Sequence, residues 1–211
     1  MLRDDTWSKI ENITKGVILE GQVDHCTAAR NLLCSRYPTS TTVKKDFESQ
    51  AIIKKEQAQE LEQFCTDHGL WMTKLPTEAT FLTRGGEARI YLHNDNRHVI
   101  KLNDGVYYAT WLEFLNSILL HNLIFSNTAY ELLGFTKESE TVIAVLKQPF
   151  IISDAPADLN ETEEARSSKL IIAHGVGQNS ENAFELQLTL GFMQVGRAEY
   201  QFPTCIKRCL F

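Results

Sequence analysis

The run Val99-Ile100-Lys101-Leu102 sets one lysine inside an otherwise apolar segment, and this placement constrains the chain more than any other feature. A lysine within an apolar strand is destabilising unless an anionic group meets it. The neighbouring segments also read as strands. Gly85-Gly86 opens onto the alternation Arg89-Ile90-Tyr91-Leu92, the chain turns at Asn94-Asp95-Asn96, and Phe81-Leu82 stands upstream. Apolar alternation bounded by glycine, asparagine and aspartate is the pattern of short paired strands. Trp111 to Phe125 reads as a buried helix, its apolar run broken by Glu113, Asn116, His121 and Asn122. Tyr130 to Phe135 and Thr141 to Lys147 read as two further strands, followed by Gln148-Pro149-Phe150.

The texture before Pro76 is helical. Ser8-Lys9-Ile10-Glu11 has capping-box spacing, in which a hydroxyl and a carboxylate satisfy free amides at a helix start. Gln22 to Tyr37 has no breaker until Pro38. Val43 to His68 is rich in Lys, Glu, Gln and Ala, carries an Ile53/Leu61/Phe64 stripe, and ends at Gly69, a left-handed C-cap. Downstream, Asp154 to Glu164 is a polar acidic connection. A helix is expected from Ser180, as N-cap, to Gly191-Phe192. The expected organisation is a helical extension over 1–76, a sheet domain over 77–150 and a mainly helical part over 151–211.

A formal net charge of −6 argues against a broad nucleic-acid-binding face. The start, MLRDDTWSKIENITKG, has no apolar core long enough for a signal peptide, and no later stretch is long and apolar enough to span a bilayer. Cys26, Cys34, Cys65, Cys205 and Cys209 form no CxxC and no paired spacing with histidine. They read as reduced thiols of a cytoplasmic protein, and no metal site is expected.

Side chains alternate along a strand, so Val99 and Lys101 share one face. That pairing suits a nucleotide: the branched side chain covers a base while the ammonium reaches phosphate oxygens. Ile90 covers the base from the same side. Gly85 and Gly86 let backbone amides approach phosphates with no side chain in the way. Glu113, the one acidic residue between Asp104 and Glu131, is either a carboxylate that fixes Lys101 or a solvated helix position. The Gln148 carbonyl and the Phe150 amide, on either side of Pro149, offer an acceptor and a donor to an adenine edge.

Arg89-Ile90-Tyr91-Leu92 and Val99-Ile100-Lys101 resemble the second and third strands of protein-kinase N-lobes behind a glycine-rich loop. Gly85 then matches the middle glycine, while Thr83 and Ala88 replace the other two. The longer strings GGEARIYL, HVIKLN, TWLEFLNSILLHNLIFSNTAYELLGF and VLKQPFI resemble the kinase domain of bacterial polyvalent proteins, large multi-domain products of phages and conjugative elements. The likeness covers roughly residues 55–200. It implies an α+β fold, with an N-lobe of about five antiparallel strands and one helix, a helical N-terminal extension and a partial helical C-lobe. It makes Lys101 the phosphate anchor, Glu113 its helix partner, and Gln148 and Phe150 the hinge contacts, with ATP and Mg²⁺ as ligands. His121-Asn122 also resembles a family feature; side-chain hydrogen bonds tying the helix to the following loop are its simplest reading.

Phosphoryl transfer also needs a catalytic-loop aspartate and metal-binding Asp and Asn. In the family these follow a segment matched here by Gly191-Phe192 and Tyr200. The chain then reads QFPTCIKRCLF, with no Asp after Asp158. Glu181, Glu185, Glu199, Asn179 and Asn182 are weak substitutes, because Glu181 and Glu185 at i,i+4 spacing read as a solvated helix face. The resemblance thus implies an ATP-binding pseudokinase, truncated or frameshifted before its catalytic loop, with a protein hydroxyl as the ancestral acceptor. The alternative is a non-catalytic protein-interaction module of a mobile-element protein. A third reading is an ordinary α+β domain in which Lys101 and Glu113 pair for structure alone.

Overall fold

A computed structural model describes residues 4–21, 24–37, 47–74 and 79–151 of the chain. Three helices come first: α1 (Asp4–Thr14), α2 (His25–Arg36) and α3 (Phe47–Asp67). Then follow β1 (Thr80–Arg84), β2 (Ala88–Leu92), β3 (His98–Asn103), α4 (Trp111–Ile124), a 3-10 turn at Ser126–Thr128, β4 (Glu131–Glu138) and β5 (Thr141–Pro149). The five strands form one antiparallel sheet in the order β1-β2-β3-β5-β4. The class is therefore α+β, with the strands and the helix that the apolar patterning predicts. Ser8–Phe150 form one compact unit. The acidic connection at 154–164, the helix expected from Ser180 to Gly191, and Cys205 and Cys209 lie outside the described residues.

Local chemistry sets most element ends. Asp24 caps α2 by accepting the Thr27 amide at 2.7 Å. Gly69, at φ +69°, ends α3 in the left-handed conformation that its sequence position predicts. Asp95 Oδ1 accepts the amides of Arg97 and His98, and Asn96 takes φ +53°, which closes the β2–β3 turn. The expected cap at Ser8 is corrected. α1 already begins at Asp4, so Ser8 lies inside it, and Glu11 instead pairs with Lys15 one turn on at 2.5 Å.

Strand register divides the sheet into two faces. Ile90, Lys101 and Leu146 stand opposite one another, as do Leu92, Val99 and Gln148, so all six side chains share the inner face. Phe135, opposite Ala144 on that face, meets Trp111 of α4 edge-on at 5.6 Å. The outer face carries Ile100, Leu102, Ile143 and Val145, with Met72, Tyr91 and Leu133 packed against them. Met72 reaches this cluster because residues 70–72 run beside β4. The Leu70 carbonyl accepts the Phe135 amide at 3.1 Å, and the Met72 amide donates to the Phe135 carbonyl at 2.7 Å. Gly134 makes this approach possible: at φ +155°, a Cβ here would lie 2.0 Å from the Leu70 oxygen.

The helices expected as an extension ahead of residue 76 pack on the later elements. α2 and α3 both contact α4 and β4 within the Ser8–Phe150 unit. α4 buries Trp111, Leu112, Phe114, Leu115, Ile118 and Leu119; each large apolar side chain contributes about 1.5–3 kcal/mol. Its first turn is held from two sides. Thr110 Oγ1 accepts the Glu113 amide at 3.1 Å and Glu113 Oε2 accepts the Ala109 amide at 2.9 Å. Gln57 of α3 accepts the Leu112 amide at 3.0 Å. Lys54, also on α3, donates to the Gly105 and Tyr108 carbonyls at 2.5 and 2.7 Å, and burial lowers its pKa against the pull of Asp104 and Glu113. The guanidinium of Arg30 is fully buried. It is met by the Asn116 and Asn31 side-chain oxygens at 3.0 and 3.2 Å and by the Ile13, Asn12 and Val17 carbonyls.

Candidate nucleotide site

Lys101 is 6% exposed, with Ile90 and Val99 buried beside it on the inner face. Its ammonium donates to the Tyr130 hydroxyl at 3.2 Å and lies 5.1 Å from the centre of that ring. Glu87, in the turn that leads into β2, is the carboxylate whose charge Lys101 influences: desolvation raises its pKa and Lys101 opposes the rise. Behind them Tyr108 is pushed up to about 12, chiefly by burial, while a hydrogen bond with Ser117 works the other way.

The glycine pair behaves in two ways. The Gly85 amide donates to the Ala88 carbonyl at 2.8 Å, closing the turn on itself. At Gly86 a Cβ would come within 3.4 Å of the Tyr107 hydroxyl, so the β3–α4 loop closely flanks that residue. A cavity of about 290 Å³ lies under this turn, lined by Arg84, Arg89, Leu102, Glu138 and Ile143 among others. It opens on the outer face. Leu102 and Lys101 are successive residues of β3 and point to opposite sides, so this cavity is not the lysine's.

Glu113 stands in the first turn of α4. Its carboxylate serves the first turn of α4 at the Ala109 amide, and no ion pair joins it to Lys101 among the described residues. The pattern Thr110-x-x-Glu113 is a capping box legible in the sequence. Gln148-Pro149-Phe150 lies at the end of β5. β5 runs through Pro149, and the Phe150 amide donates to the Arg97 carbonyl at 2.7 Å. Antiparallel alternation then turns the main-chain groups of Gln148 toward Val99 and leaves the Pro149 carbonyl pointing away from β3. The Gln148 side chain is buried on the inner face. Its Nε2 donates to the Thr128 carbonyl at 2.7 Å, while its Oε1 is buried without a hydrogen-bond partner.

His121 and Asn122 do tie the helix to the following loop. His121 Nε2 lies 3.0 Å from the Thr128 carbonyl, and Asn122 exchanges two 2.7 Å bonds with the main chain of Tyr130. Lys54, Gln57 and Tyr130 carry no spacing signal that sequence reading uses, and they emerge only with the fold.

Among the described residues no group of three or more His, Cys, Asp or Glu side chains could hold a metal ion. Cys26, Cys34 and Cys65 are buried free thiols; burial raises the pKa of Cys26 and takes that of Cys65 to about 12, so thiolate chemistry is suppressed. No helix among the described residues is long and apolar enough to cross a membrane.

A five-stranded antiparallel sheet backed by α4, with a buried lysine on β3 behind a glycine turn, is an α+β arrangement compatible with a kinase-like fold. A family profile described as Serine/Threonine/Tyrosine Kinase found in polyvalent proteins matches residues 54–185. That is well over half of the 211-residue chain, and the chain belongs to this family. Neither the curated proteins nor the solved structures offer a match.

Proposed function

We propose that the inner face of the sheet is the nucleotide half-site of a kinase-like protein, and that these 211 residues alone bind Mg-ATP weakly without transferring its phosphate. The observation that carries this reading is the buried Lys101 beside Ile90 and Val99, in a chain of a kinase family. Ile90 and Val99 supply apolar cover for a base, and Lys101 supplies charge for phosphate oxygens. Gly86 keeps the turn free of a side chain; the Gly85 amide, closed on Ala88, contributes less. Gln148 Oε1 is a buried acceptor lacking a donor, and the exocyclic amine of adenine is one such donor. The Pro149 carbonyl is another acceptor at the same strand end, while the Phe150 amide donates to Arg97. Glu113 remains the nearest helical carboxylate in sequence to Lys101, and pairing with it on nucleotide binding requires release of the Ala109 amide. Mg²⁺ arrives with the phosphates, since no described cluster holds it alone.

Absence of turnover by these 211 residues alone is argued from chemistry. Positioning and charge neutralisation supply nearly all the acceleration of phosphoryl transfer, and the sequence offers no Asp beyond Asp158 to orient an acceptor or hold metal. A half-site of this kind supports a Kd of about 0.1–1 mM, or roughly 4–5.5 kcal/mol. At ten times that concentration ATP stabilises the fold by about 1.4 kcal/mol. The test is a thermal-shift titration with Mg-ATP at fixed ionic strength, wild type against Lys101→Met. Equal shifts in the two proteins, or none in either, overturn nucleotide binding. Phosphorylation of the chain itself or of a generic protein acceptor, abolished by Lys101→Met, overturns the inactive assignment.

A further inference from the structure

We propose that Tyr130, clamped by His121 and Asn122, is the residue that positions the Lys101 ammonium for an anionic phosphate. This inference rests on the reading of the inner face as a nucleotide half-site. It explains a motif which that reading leaves unused, the His121-Asn122 pair at the end of α4.

Three observations converge on Tyr130. Asn122 bonds both main-chain groups of that residue: its Oδ1 accepts the Tyr130 amide and its Nδ2 donates to the Tyr130 carbonyl, each at 2.7 Å. The His121 ring packs against the Tyr130 ring at 4.7 Å between centres and against Phe125 at 5.1 Å, while its Nε2 meets the Thr128 carbonyl. Gln148 Nε2 reaches the same Thr128 carbonyl from β5. Residues 128–130 are thus pinned by two side chains of α4 and one of the sheet, so the Tyr130 ring has little freedom to move. The Lys101 ammonium rests on that ring and its hydroxyl.

A tyrosine is chemically suited to this task. It offers the ammonium a hydroxyl oxygen and an aromatic face, both attractive to a cation. Neither is itself an anion. A phosphate approaching Lys101 meets an ammonium held in place. Thr128 links this anchor to Gln148, so the phosphate lysine and the side chain beside Val99 are held by the same segment.

The test has two arms on the full chain. In carbon–proton correlation spectra of lysine-labelled protein without nucleotide, the Lys101 Hε signals, assigned by their loss in Lys101→Arg, are displaced upfield by the Tyr130 ring. The displacement persists in Tyr130→Phe, disappears in Tyr130→Leu and shrinks in Asn122→Ala. Lys101 Hε at the position of an exposed lysine in the wild type overturns the proposal. In Mg-ATP titrations, Tyr130→Leu weakens binding about three- to tenfold and Tyr130→Phe about two- to fivefold. The double variant Tyr130→Leu/Lys101→Met binds no more weakly than Lys101→Met alone. Losses that multiply in the double variant show Tyr130 acting independently of the lysine and overturn the proposal. A wild type with no Lys101-dependent binding sinks the half-site reading and, with it, the phosphate part of this proposal. The ring-current arm still decides whether Tyr130 holds the lysine.

Discussion

The two faces of the sheet bury side chains of different chemistry. On β3, Ile100 and Leu102 point outward into a cluster with Ile143 and Val145. Val99, Lys101 and Asn103, one residue out of step on the same strand, point inward with Gln148 opposite Val99. Three of the buried polar residues of the sheet, Lys101, Asn103 and Gln148, lie on that inner face. Each has a partner: Tyr130 for Lys101, the Gly105 amide for Asn103 and the Thr128 carbonyl for Gln148. Apolar packing is non-directional, so the outer face contributes stability wherever its shape is filled. Buried polar groups demand particular partners in particular places. The outer face therefore reads as framework and the inner face as site.

Four substitutions break or sharpen this contrast. The largest effect belongs to Gly134→Ala, opposite Val145, where a Cβ meets the Leu70 carbonyl carbon and oxygen. A loss of about 3 kcal/mol or more is expected in urea unfolding. A loss under about 1 kcal/mol would mean that residues 70–72 are not held to β4. Ile100→Ala, in the middle of the outer cluster, should lower stability by about 2–4 kcal/mol. Its ATP-induced shift relative to its own baseline should remain; disappearance of that shift would blur framework into site.

Lys101→Met should act in the opposite sense. Replacing a buried cation by an apolar chain of similar length is neutral or stabilising, by zero to about 2 kcal/mol, while nucleotide dependence is lost. Destabilisation matching that of Ile100→Ala would make the inner face structural too. The smallest effect is that of Glu87→Gln. Desolvation raises the Glu87 pKa above its unfolded value near about 4.3. For an acid this means that the folded form binds the proton more tightly, so its contribution falls as pH rises from the unfolded value through the raised one. Glu87→Gln removes that slope and should gain less than about 1 kcal/mol over wild type at pH 7, the gain vanishing below about pH 4. A variant less stable than wild type at pH 7 would show that the attraction of Lys101 outweighs desolvation.

Much of the fold was legible because period and punctuation agreed. The apolar alternation around Ile90 and Val99, the Asn94-Asp95-Asn96 turn and the apolar run from Trp111, broken by single polar residues, marked strands, hairpin and helix. Parity along β3 told which residues share a face with Lys101. The site was less legible. Which main-chain groups of Gln148-Pro149-Phe150 face away from β3 is not legible, because sequence does not say where β5 stops and a single step reverses every main-chain direction. From sequence Glu113 reads as a partner of Lys101 or a solvated position, and Thr110 three residues earlier adds a cap. Lys54, Gln57 and Tyr130 reach their partners across 51, 55 and 29 residues of chain. No local pattern encodes such distances.

Arg30 has a consequence for how the chain comes off the ribosome. Its Nε bonds to Asn116, 86 residues further on, while its other nitrogens hold the end of α1 and the segment after it. During synthesis α1 and α2 emerge long before α4, so this guanidinium must stay hydrated until Asn116 is available to complete its set. The helical half is made first but cannot finish first. Arrested nascent chains that stop before Asn116 should leave residues 12–31 open to protease, and chains that extend past β5 should protect them.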